Sequence, residues 1–400
     1  MISKKNRFII ANVTIFEEEA KIEKGYIRVE NGKISEICKM DNFQDINGIE
    51  VIQFPNEYKL IPGMIDLHIH GAAGADTMDA TIEAIETIAS ALPKEGTTSF
   101  LATTITKEEE EIERALINVA NYMKKENNAG KAEVLGVHLE GPFISVKRAG
   151  AQPPHAITEP DIKRFKQWQT ISENQIKLVT LAPEREGGLE LTAYLRETGV
   201  VASIGHSDAK YDEAVEAIKA GVTHATHLFN GMRGLHHREP GVVGAVLLHD
   251  QVKAELIVDG IHVRPEMVKL IFQQKGKEGI VLVTDAMRAK CLGNGVYQLG
   301  GQEVFVRDQQ ATLKDGTLAG SILKMKDSIR NMMEFTDCTL EDIIYMSSTN
   351  PAKQLNVFDR KGSIKVGKDA DLVVLDENNQ VVMTFCRGEL AYNREGGKGI

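Results

Sequence analysis

The residues best suited to chemistry end one apolar run, PGMIDLHIHG at 62–71. One residue separates His68 from His70 there. Successive side chains of a β-strand point to opposite faces, so both imidazoles would face the same side of the strand. Two neutral imidazoles in this arrangement can bind one metal ion. The spacing therefore indicates a metal site where this strand ends.

Three more ligand-type residues follow apolar runs later in the chain. Glu140 follows AEVLGVHL, His206 follows VVASIG and His227 follows VTHAT. Imidazoles and carboxylates bind zinc, iron or manganese and leave a coordination position open for water. Each histidine alone is equally compatible with a hydrogen-bonded core or surface role. Their joint placement predicts a hydrolytic metal centre formed by His68, His70, Glu140, His206 and His227.

Asp285, in the apolar run IVLVTDA, is the candidate general base. A carboxylate beside a metal-bound water can accept its proton and later donate it to a leaving amine, as amide hydrolysis requires. A helix N-cap is the alternative role for an aspartate at this position. Asp66, two residues before His68, is a candidate to orient that histidine, and a turn or core role is equally compatible.

These residues need a scaffold that brings strand ends together. Between residues 59 and 355, strand-like apolar runs alternate with amphipathic segments, a pattern typical of parallel βα units. One stripe at helical spacing consists of Ile112, Leu116, Val119 and Met123. The eight strand candidates are 59–69, 97–104, 133–139, 177–182, 200–205, 222–227, 254–259 and 280–285.

Eight successive βα units predict a (β/α)8 barrel, in which active sites lie at the C-terminal ends of the strands. The six candidate residues belong to the ends of the first, third, fifth, sixth and eighth runs. In a barrel they would all converge on one rim. This ordering is the main support for the metal site.

The two chain ends have a different pattern. Short alternating runs there are joined by turns, including an Asn31-Gly32 pair, which favours a tight hairpin. Residues 362–391 repeat this style. We therefore predict an α/β protein with two parts: a catalytic (β/α)8 TIM barrel at 59–355, and a small discontinuous β-sandwich domain formed by 1–58 and 356–400.

Length, composition and charge limit the class of protein. The 400 residues exceed the roughly 250 that an α/β barrel takes alone. Hydrophobic residues at 42% and charged residues at 26% are typical of a folded globular protein. The formal net charge of −10 disfavours nucleic acid and anionic membranes as partners. A small anionic substrate stays compatible, because a local cationic pocket can act against the average.

The cysteines and the hydropathy of the chain indicate the cellular compartment. The four cysteines form no CxxC pair, which favours reduced thiols. The N-terminal apolar stretch is too short for a signal-peptide core. No later run reaches the roughly 18 apolar residues of a membrane span. We therefore predict a cytoplasmic protein with no membrane partner.

Several motifs resemble a known family over nearly the full chain. The His-x-His pair by itself marks only the amidohydrolase superfamily. HLEGPFI at 138–144, THLFNGM at 226–232 and DGIHV at 259–263 are together far more specific. They are similar to motifs of the N-acetylglucosamine-6-phosphate deacetylase family. Further similar segments are GHSDA, REPG, VTDAM, LAGS and GSIKVGKDADLVVLD.

The resemblance implies an activity and a cofactor. The activity would be hydrolysis of the N-acetyl group of N-acetylglucosamine 6-phosphate, in amino-sugar catabolism or cell-wall sugar recycling. Glu140, His206 and His227 would hold one metal, and His68 with His70 a second, bridged by Glu140. Members with a single metal lack the intact His-x-His pair, so two divalent metals per subunit are implied. These would be zinc or iron, with manganese or cobalt as alternatives.

The family's substrate contacts fall on nine positions: Ala151, Gln152, Asn230, Gly231, Arg238, His262, Leu318, Ala319 and Gly320. Arg238 and His262 suit the phosphate, because a guanidinium binds phosphate oxygens in bidentate fashion. His262 could instead polarise the acetyl carbonyl. Gln152 would contact a sugar hydroxyl, although the family more often has histidine there. Phosphate contacts can come from a neighbouring subunit in this family, so the resemblance also implies a homodimer.

Three questions stay open from the sequence. Residues 287–317, with five glycines and short apolar runs, form either a hairpin or lid over the site or a surface excursion. The substrate could be the galactosamine epimer or another N-acyl compound. A non-catalytic assembly protein on the same barrel is a third alternative, which the presence of all six candidate residues disfavours.

Overall fold

The fold is described by a computed structural model that covers residues 7–43 and 48–395. It matches the predicted fold class. Eight parallel strands with covering helices form an α/β barrel, and strands from both chain ends form the small β-sandwich. The parts of that small domain predicted at 1–6, 44–47 and 396–400 lie outside the described residues.

The chain ends meet in one sheet, here called the end sheet. Arg7–Phe16 pairs antiparallel with Lys21–Glu30 and parallel with Lys59–Pro62. The C-terminal strands join the sheet through Lys59–Pro62. Asn31 and Gly32 have positive φ angles of 50° and 75°, which confirms the predicted turn. The end sheet contains Arg7–Phe16, Lys21–Glu30, Lys33–Lys39, Glu50–Gln53, Lys59–Pro62, Leu372–Leu375, Val381–Cys386 and Glu389–Asn393.

The second sheet, the barrel sheet, holds eight parallel strands in chain order. Every residue of Thr97–Thr103 is buried, as expected where helices cover one face and side chains fill the other. A parallel bridge between Ile69 and Ala286 joins the first and last strands and closes the ring. The strands are Met64–Ile69, Thr97–Thr103, Glu133–Glu140, Ile176–Leu181, Val201–Ile204, Val222–Ala225, Lys253–Leu256 and Ile280–Leu282.

The run predicted as the first barrel strand, 59–69, is in fact two strands. Lys59–Pro62 belongs to the end sheet and Met64–Ile69 to the barrel sheet. At the junction, a Cβ on Gly63 would lie 2.1 Å from Thr98 Oγ1, so only glycine fits between the two strands. Apolar residues continue across this junction, so the sequence pattern does not reveal the break. The domain boundary at 58/59 thus stays a proposal. Lys59–Pro62 lies on the barrel side of this boundary but pairs within the end sheet.

Helices cover the outside of the barrel. In Glu109–Lys125 the predicted stripe faces inward, with Met123 partly buried and the rest buried. Within the described ranges, none of the helices combines the length and apolar character needed to cross a bilayer. The α-helices are Ile82–Ala91, Glu109–Lys125, Ile162–Ile171, Gly188–Glu197, Tyr211–Ala220, Gly241–Leu248, Pro265–Gly279, Met325–Phe335, Leu340–Ile344 and Asn350–Gln354. Short 3₁₀ or π turns are Met40–Asn42, Thr77–Asp79, Leu92–Glu95, Val146–Arg148, Pro154–Ala156 and Tyr345–Thr349.

Residues 287–317 contain a small antiparallel sheet, here called the cover sheet. Leu299 and Val304 of this sheet are buried in one apolar cluster with Ile105, which follows a barrel strand. The segment therefore packs against the barrel rim and is not a free surface excursion. The strands of the cover sheet are Gly295–Leu299, Gln302–Arg307 and Gln310–Thr312.

Buried charges connect the barrel to the end sheet. The Lys361 side chain is 1% exposed and lies 2.6 Å from Glu133 Oε2, and it also pairs with Asp371. Arg360 contacts Glu133 at 2.9 Å and Asp369 at 2.7 Å. Burial alone would raise the pKa of Glu133, but Lys361 and Arg360 outweigh it and lower that pKa to about 2. Glu133 begins a barrel strand, so this network lies at the barrel end away from the candidate site.

Candidate metal centre

The six candidate residues come together at the C-terminal ends of the barrel strands. Glu140 is the last residue of its strand, and His70 directly follows Met64–Ile69. All six side chains are buried. Five of them line one cavity of about 210 Å³, and His68 is fully buried beside it.

Three of these residues have a left-handed backbone. The φ angle is 47° at His206, 33° at His227 and 48° at Asp285. Non-glycine residues in this region cost on the order of 1–3 kcal/mol and persist where the surrounding structure imposes them. Each follows a barrel strand by a few residues. The backbone strain thus coincides with the residues assigned to chemistry.

The first ligand group consists of Glu140, His206 and His227. The two Nε2 atoms each lie 3.2 Å from Glu140 Oε1 and 3.1 Å from each other. His206 Nδ1 donates to the Arg148 carbonyl at 2.7 Å, so the Nε2 lone pair of the neutral ring faces Glu140. A lone pair and a carboxylate oxygen repel each other unless a proton or cation lies between them.

The second ligand group consists of His68, His70 and Asp285. Asp285 Oδ1 lies 3.4 Å from His68 Nε2 and 3.3 Å from His70 Nε2. Glu140 faces this group as well, with Oε1 3.5 Å from His68 Nε2 and Oε2 3.4 Å from His70 Nε2. Glu140 therefore lies between the two groups, where a shared carboxylate would be needed.

A divalent metal fits these residues. His68 Nε2 is buried and has no hydrogen-bond partner, which costs about 1–3 kcal/mol without a ligand. Within each group, the ligand atoms lie within 4.8 Å of one another. Both groups mix imidazole and carboxylate, a donor set that zinc, iron, manganese and cobalt accept.

The electrostatics of the site also favour a cation. Burial alone would lower the pKa of His68, but Asp285, Glu255 and Glu140 outweigh it and raise that pKa to about 9. Burial alone would raise the pKa of Glu140, but His68 and the other imidazoles hold it well below its usual range. The pKa of Asp285 is lowered against burial in the same way. Clustered carboxylates thus draw positive charge to the buried imidazoles.

Glu255 is a functional residue that the sequence analysis missed. It is fully buried in Lys253–Leu256. Its Oε2 accepts from His68 Nδ1 at 2.9 Å and from the His227 backbone N–H at 3.1 Å, and its Oε1 lies 3.1 Å from His224 Nε2. The contact with Nδ1 turns His68 Nε2 toward the site. An acidic residue inside an apolar strand was the available signal, because buried charges need partners.

Asp66 acts on the backbone and does not contact the His68 imidazole. Its Oδ1 accepts from the backbone N–H groups of His68 and Thr284, both at 3.2 Å. Its Oδ2 accepts from the Thr284 hydroxyl at 2.6 Å. Asp66 therefore ties the first barrel strand to the segment that carries Asp285.

The cavity brings together most of the predicted substrate contacts. Ala319 is fully buried and does not line it. Arg238 is exposed, and its Nη1 donates to His237 Nε2 at 2.7 Å. Arg238 therefore does not line the cavity of its own chain. The predicted contacts that line the cavity are Ala151, Gln152, Asn230, Gly231, His262, Leu318 and Gly320.

Four further lining residues were not expected from the sequence: Ile105, Gly150, Leu299 and Thr317. Leu299 comes from the cover sheet, whose position over the rim no local pattern reveals. The described residues that line the cavity include no lysine or arginine. His262 is held in place by Asp259, with Nδ1 2.7 Å from Asp259 Oδ2.

The chain is similar to known proteins over almost its whole length. A model of the amidohydrolase family matches residues 60–391. N-acetylglucosamine-6-phosphate deacetylase of Bacillus subtilis (strain 168) is 49% identical over 385 residues, covering 96% of this chain and 97% of that protein. N-acetylgalactosamine-6-phosphate deacetylase of Escherichia coli O157:H7 is 39% identical over 332 residues, covering 83% and 87%. The structure of a mutant N-acetyl-D-glucosamine-6-phosphate deacetylase from Mycobacterium smegmatis, in complex with N-acetyl-D-glucosamine-6-phosphate, aligns with a TM-score of 0.89 at 29% identity, covering 97% of this chain and 100% of that one.

Proposed function

The chain belongs to the amidohydrolase family, and on this basis we propose that it hydrolyses the N-acetyl group of N-acetylglucosamine 6-phosphate. Water is consumed, the amide C–N bond breaks, and acetate and glucosamine 6-phosphate leave. One observation carries the proposal: two metal-ligand groups and Asp285 converge on one cavity in a chain similar to deacetylases of amino-sugar phosphates.

Two sets of side chains would hold the metal ions. Glu140, His206 and His227 would hold one, and His68 with His70 the second, with Glu140 shared. When bound, a divalent ion supplies Lewis acidity that polarises the acetyl carbonyl and lowers the pKa of water. Zinc or iron is the proposed ion, with manganese and cobalt as alternatives. Of the three groups of possible ligands among the described residues, the two that face Glu140 support two ions per subunit.

Asp285 is the proposed general base and acid. Its lowered pKa keeps it ionised at neutral pH, so that it can accept a proton from water. It then donates this proton to the amide nitrogen as the C–N bond breaks. Its Oδ1 lies within 3.4 Å of the His68 and His70 Nε2 atoms, next to the proposed metal ligands.

His262 is the proposed hydrogen-bond donor to the substrate. Asp259 holds Nδ1, which leaves Nε2 for the cavity that His262 lines. A ring protonated on both nitrogens would donate from Nε2 to the acetyl carbonyl or to a phosphate oxygen. The Asp259 carboxylate would stabilise the charge on that ring.

We propose a homodimer in which Arg238 of one subunit binds the phosphate held by the other. The described residues that line the cavity include no lysine or arginine, so a phosphate there would lack a permanent cation from its own chain. Arg238 is exposed, in a loop whose Leu235 is also 49% exposed. An arginine in that position is available to a second subunit.

The proposed setting is amino-sugar catabolism or cell-wall sugar recycling in the cytoplasm. All four cysteines, which lie within the described ranges, are free thiols. Free thiols are typical of a reducing compartment. The net charge of −10 supports a small-molecule substrate over nucleic acid.

Acetate release tests the proposed function. The purified protein is assayed with N-acetylglucosamine 6-phosphate, its galactosamine epimer and unphosphorylated N-acetylglucosamine, before chelation, after chelation and after restoration of zinc or iron. We expect fast release from the phosphorylated glucosamine compound, loss on chelation and recovery with metal. Faster release from the epimer would change the substrate to N-acetylgalactosamine 6-phosphate. No release from any of the three, with metal bound, would contradict the activity.

A further inference from the structure

The Gln152 side chain joins a cavity loop to a proposed metal ligand. It is only 4% exposed. Its Oε1 accepts from the Thr106 backbone N–H at 2.8 Å, and its Nε2 donates to Glu140 Oε2 at 2.7 Å. Both polar ends of the amide are therefore engaged within the protein.

The chemistry of the two partners determines the orientation of this amide. The Thr106 backbone N–H can only donate, and an ionised carboxylate can only accept. A flipped amide would place its oxygen against Glu140 and its NH₂ group against the Thr106 N–H. The Thr106 N–H therefore holds Oε1 on its own side, which leaves Nε2 to face Glu140 Oε2.

This contact controls how the Glu140 carboxylate is turned. The last torsion of a glutamate side chain has a broad, roughly two-fold preference, so the carboxylate needs an external partner to fix its plane. With Gln152 on Oε2, the other oxygen, Oε1, lies 3.2 Å from the Nε2 atoms of both His206 and His227. Oε2 lies 3.4 Å from His70 Nε2. The amide thus holds Oε2 on the side of His70, while Oε1 faces His206 and His227 and also lies 3.5 Å from His68 Nε2.

We propose that Gln152 is a positioning residue that orients Glu140 for metal binding. The proposal rests on the metal-dependent function above, and it differs from the sugar-hydroxyl contact expected from the sequence. Outer partners of metal ligands typically change metal affinity by about 10–100-fold when they are removed. A residue that contacts only the sugar would change KM and leave metal affinity unaltered.

The chain offers a matched control in a second glutamine, Gln302 of the cover sheet, which contacts the loop that carries Gln152. Gln302 Nε2 donates to the Ala151 carbonyl at 2.6 Å, one residue from Gln152, and Gln302 does not line the cavity. Replacement of Gln302 by methionine removes a loop contact of the same chemistry without touching Glu140. Comparison with this variant therefore separates an effect of disorder in the loop from an effect of the Glu140 carboxylate orientation.

The test measures zinc affinity without substrate, by competition with a chelator of known affinity, for the wild type, Gln152→Met, Gln152→Asn and Gln302→Met. Circular dichroism confirms folding, and kcat and KM are measured on the zinc-loaded proteins. We expect both Gln152 variants to bind zinc roughly 10-fold or more weakly, with kcat lowered more than KM is raised, and Gln302→Met to bind zinc like the wild type.

Three results would overturn the inference, and a fourth concerns the function. Wild-type zinc affinity in folded Gln152→Met, with only KM raised, would make Gln152 a sugar contact. Wild-type affinity in Gln152→Asn, whose shorter amide cannot keep both contacts, would also contradict it. An equal loss of zinc affinity in Gln302→Met would assign the effect to the order of the loop that carries Gln152. Failure of the wild type itself to bind zinc or any other divalent ion would reject the proposed function instead.

Discussion

His68 Nδ1 lies 2.9 Å from Glu255 Oε2, across 187 residues of chain. Both side chains are fully buried, and the contact leaves His68 Nε2 facing Glu140 and Asp285. An acidic residue in the seventh strand of the barrel therefore sets the orientation of a ligand that belongs to the first strand.

Glu255→Gln should weaken metal binding. The amide keeps the shape of the side chain but loses the charge that orients the His68 ring and makes it a better ligand. We expect metal affinity to fall by roughly 10–100-fold in a chelator competition assay. Glu133→Gln is the matched control, because Glu133 is a partly buried acid at the other end of the barrel, and its replacement should leave metal affinity unchanged. Wild-type metal affinity in Glu255→Gln would show that Glu255 has only a packing role.

Asp285→Asn should bind substrate but lose nearly all turnover. An amide can neither accept the proton from water nor return it to the leaving amine, so we expect kcat to fall by at least about 10²-fold. KM should change much less, because the lost interaction acts in the chemical step. Single-turnover acetate release measures this effect. A variant that retains near-normal kcat would remove Asp285 from its assigned role.

Arg238→Ala should raise KM for the phosphorylated sugar and leave the unphosphorylated analogue unaffected. The guanidinium offers bidentate hydrogen bonds to phosphate oxygens, which the analogue lacks. Equal losses on both substrates would contradict a phosphate contact.

Mixing the Arg238→Ala and Asp285→Asn subunits tests whether Arg238 acts across a dimer. In a heterodimer of Arg238→Ala with Asp285→Asn, the first subunit keeps Asp285 and receives Arg238 from its neighbour. We therefore expect activity at low substrate concentration to rise above the sum of the two separate variants after subunit exchange. No rise in activity, with subunit exchange verified by mass spectrometry, would show that Arg238 does not act in the site of the neighbouring subunit.

The free energy of unfolding should fall at acid pH, partly because Glu133 becomes protonated. Its pKa is about 2 in the folded protein, against an ordinary glutamate value of 4.5. Because the folded pKa is depressed, its contribution is present above about pH 4.5 and is lost as pH falls toward 2, up to about 3 kcal/mol. The measurement is the free energy of unfolding in urea between pH 6 and pH 3, relative to Glu133→Gln. We expect a steeper decline for the wild type, and parallel curves would contradict the shift.

Local patterns explain the features that were predicted from the sequence. Side chains alternate along a strand, so His68 and His70 share a face whatever surrounds them. The Asn31-Gly32 turn depends on the φ angles of two residues, and the helix Glu109–Lys125 on a stripe within it. The order of βα units places strand ends on one rim, which is why the metal-ligand candidates could be selected together.

Other features depend on paths that the chain takes between elements. Lys59–Pro62 and Met64–Ile69 form one continuous apolar pattern, and only their strand pairing shows that they belong to different sheets. Gly63 packs closely on Thr98 at the junction. The Arg238 guanidinium suits a phosphate, yet Arg238 is exposed and does not line the cavity of its own chain. Leu299 enters the cavity because the cover sheet folds over the rim.

Amino-acid order alone therefore decides most of the elements, the class of fold and the set of metal-ligand candidates, because each of these depends on a pattern within a few neighbouring residues. Tertiary structure decides which side chain orients each metal-ligand candidate. The contacts of Glu255 with His68 and of Gln152 with Glu140 depend on strand register and loop path around the barrel. Such contacts join distant positions and leave no periodic pattern in either segment.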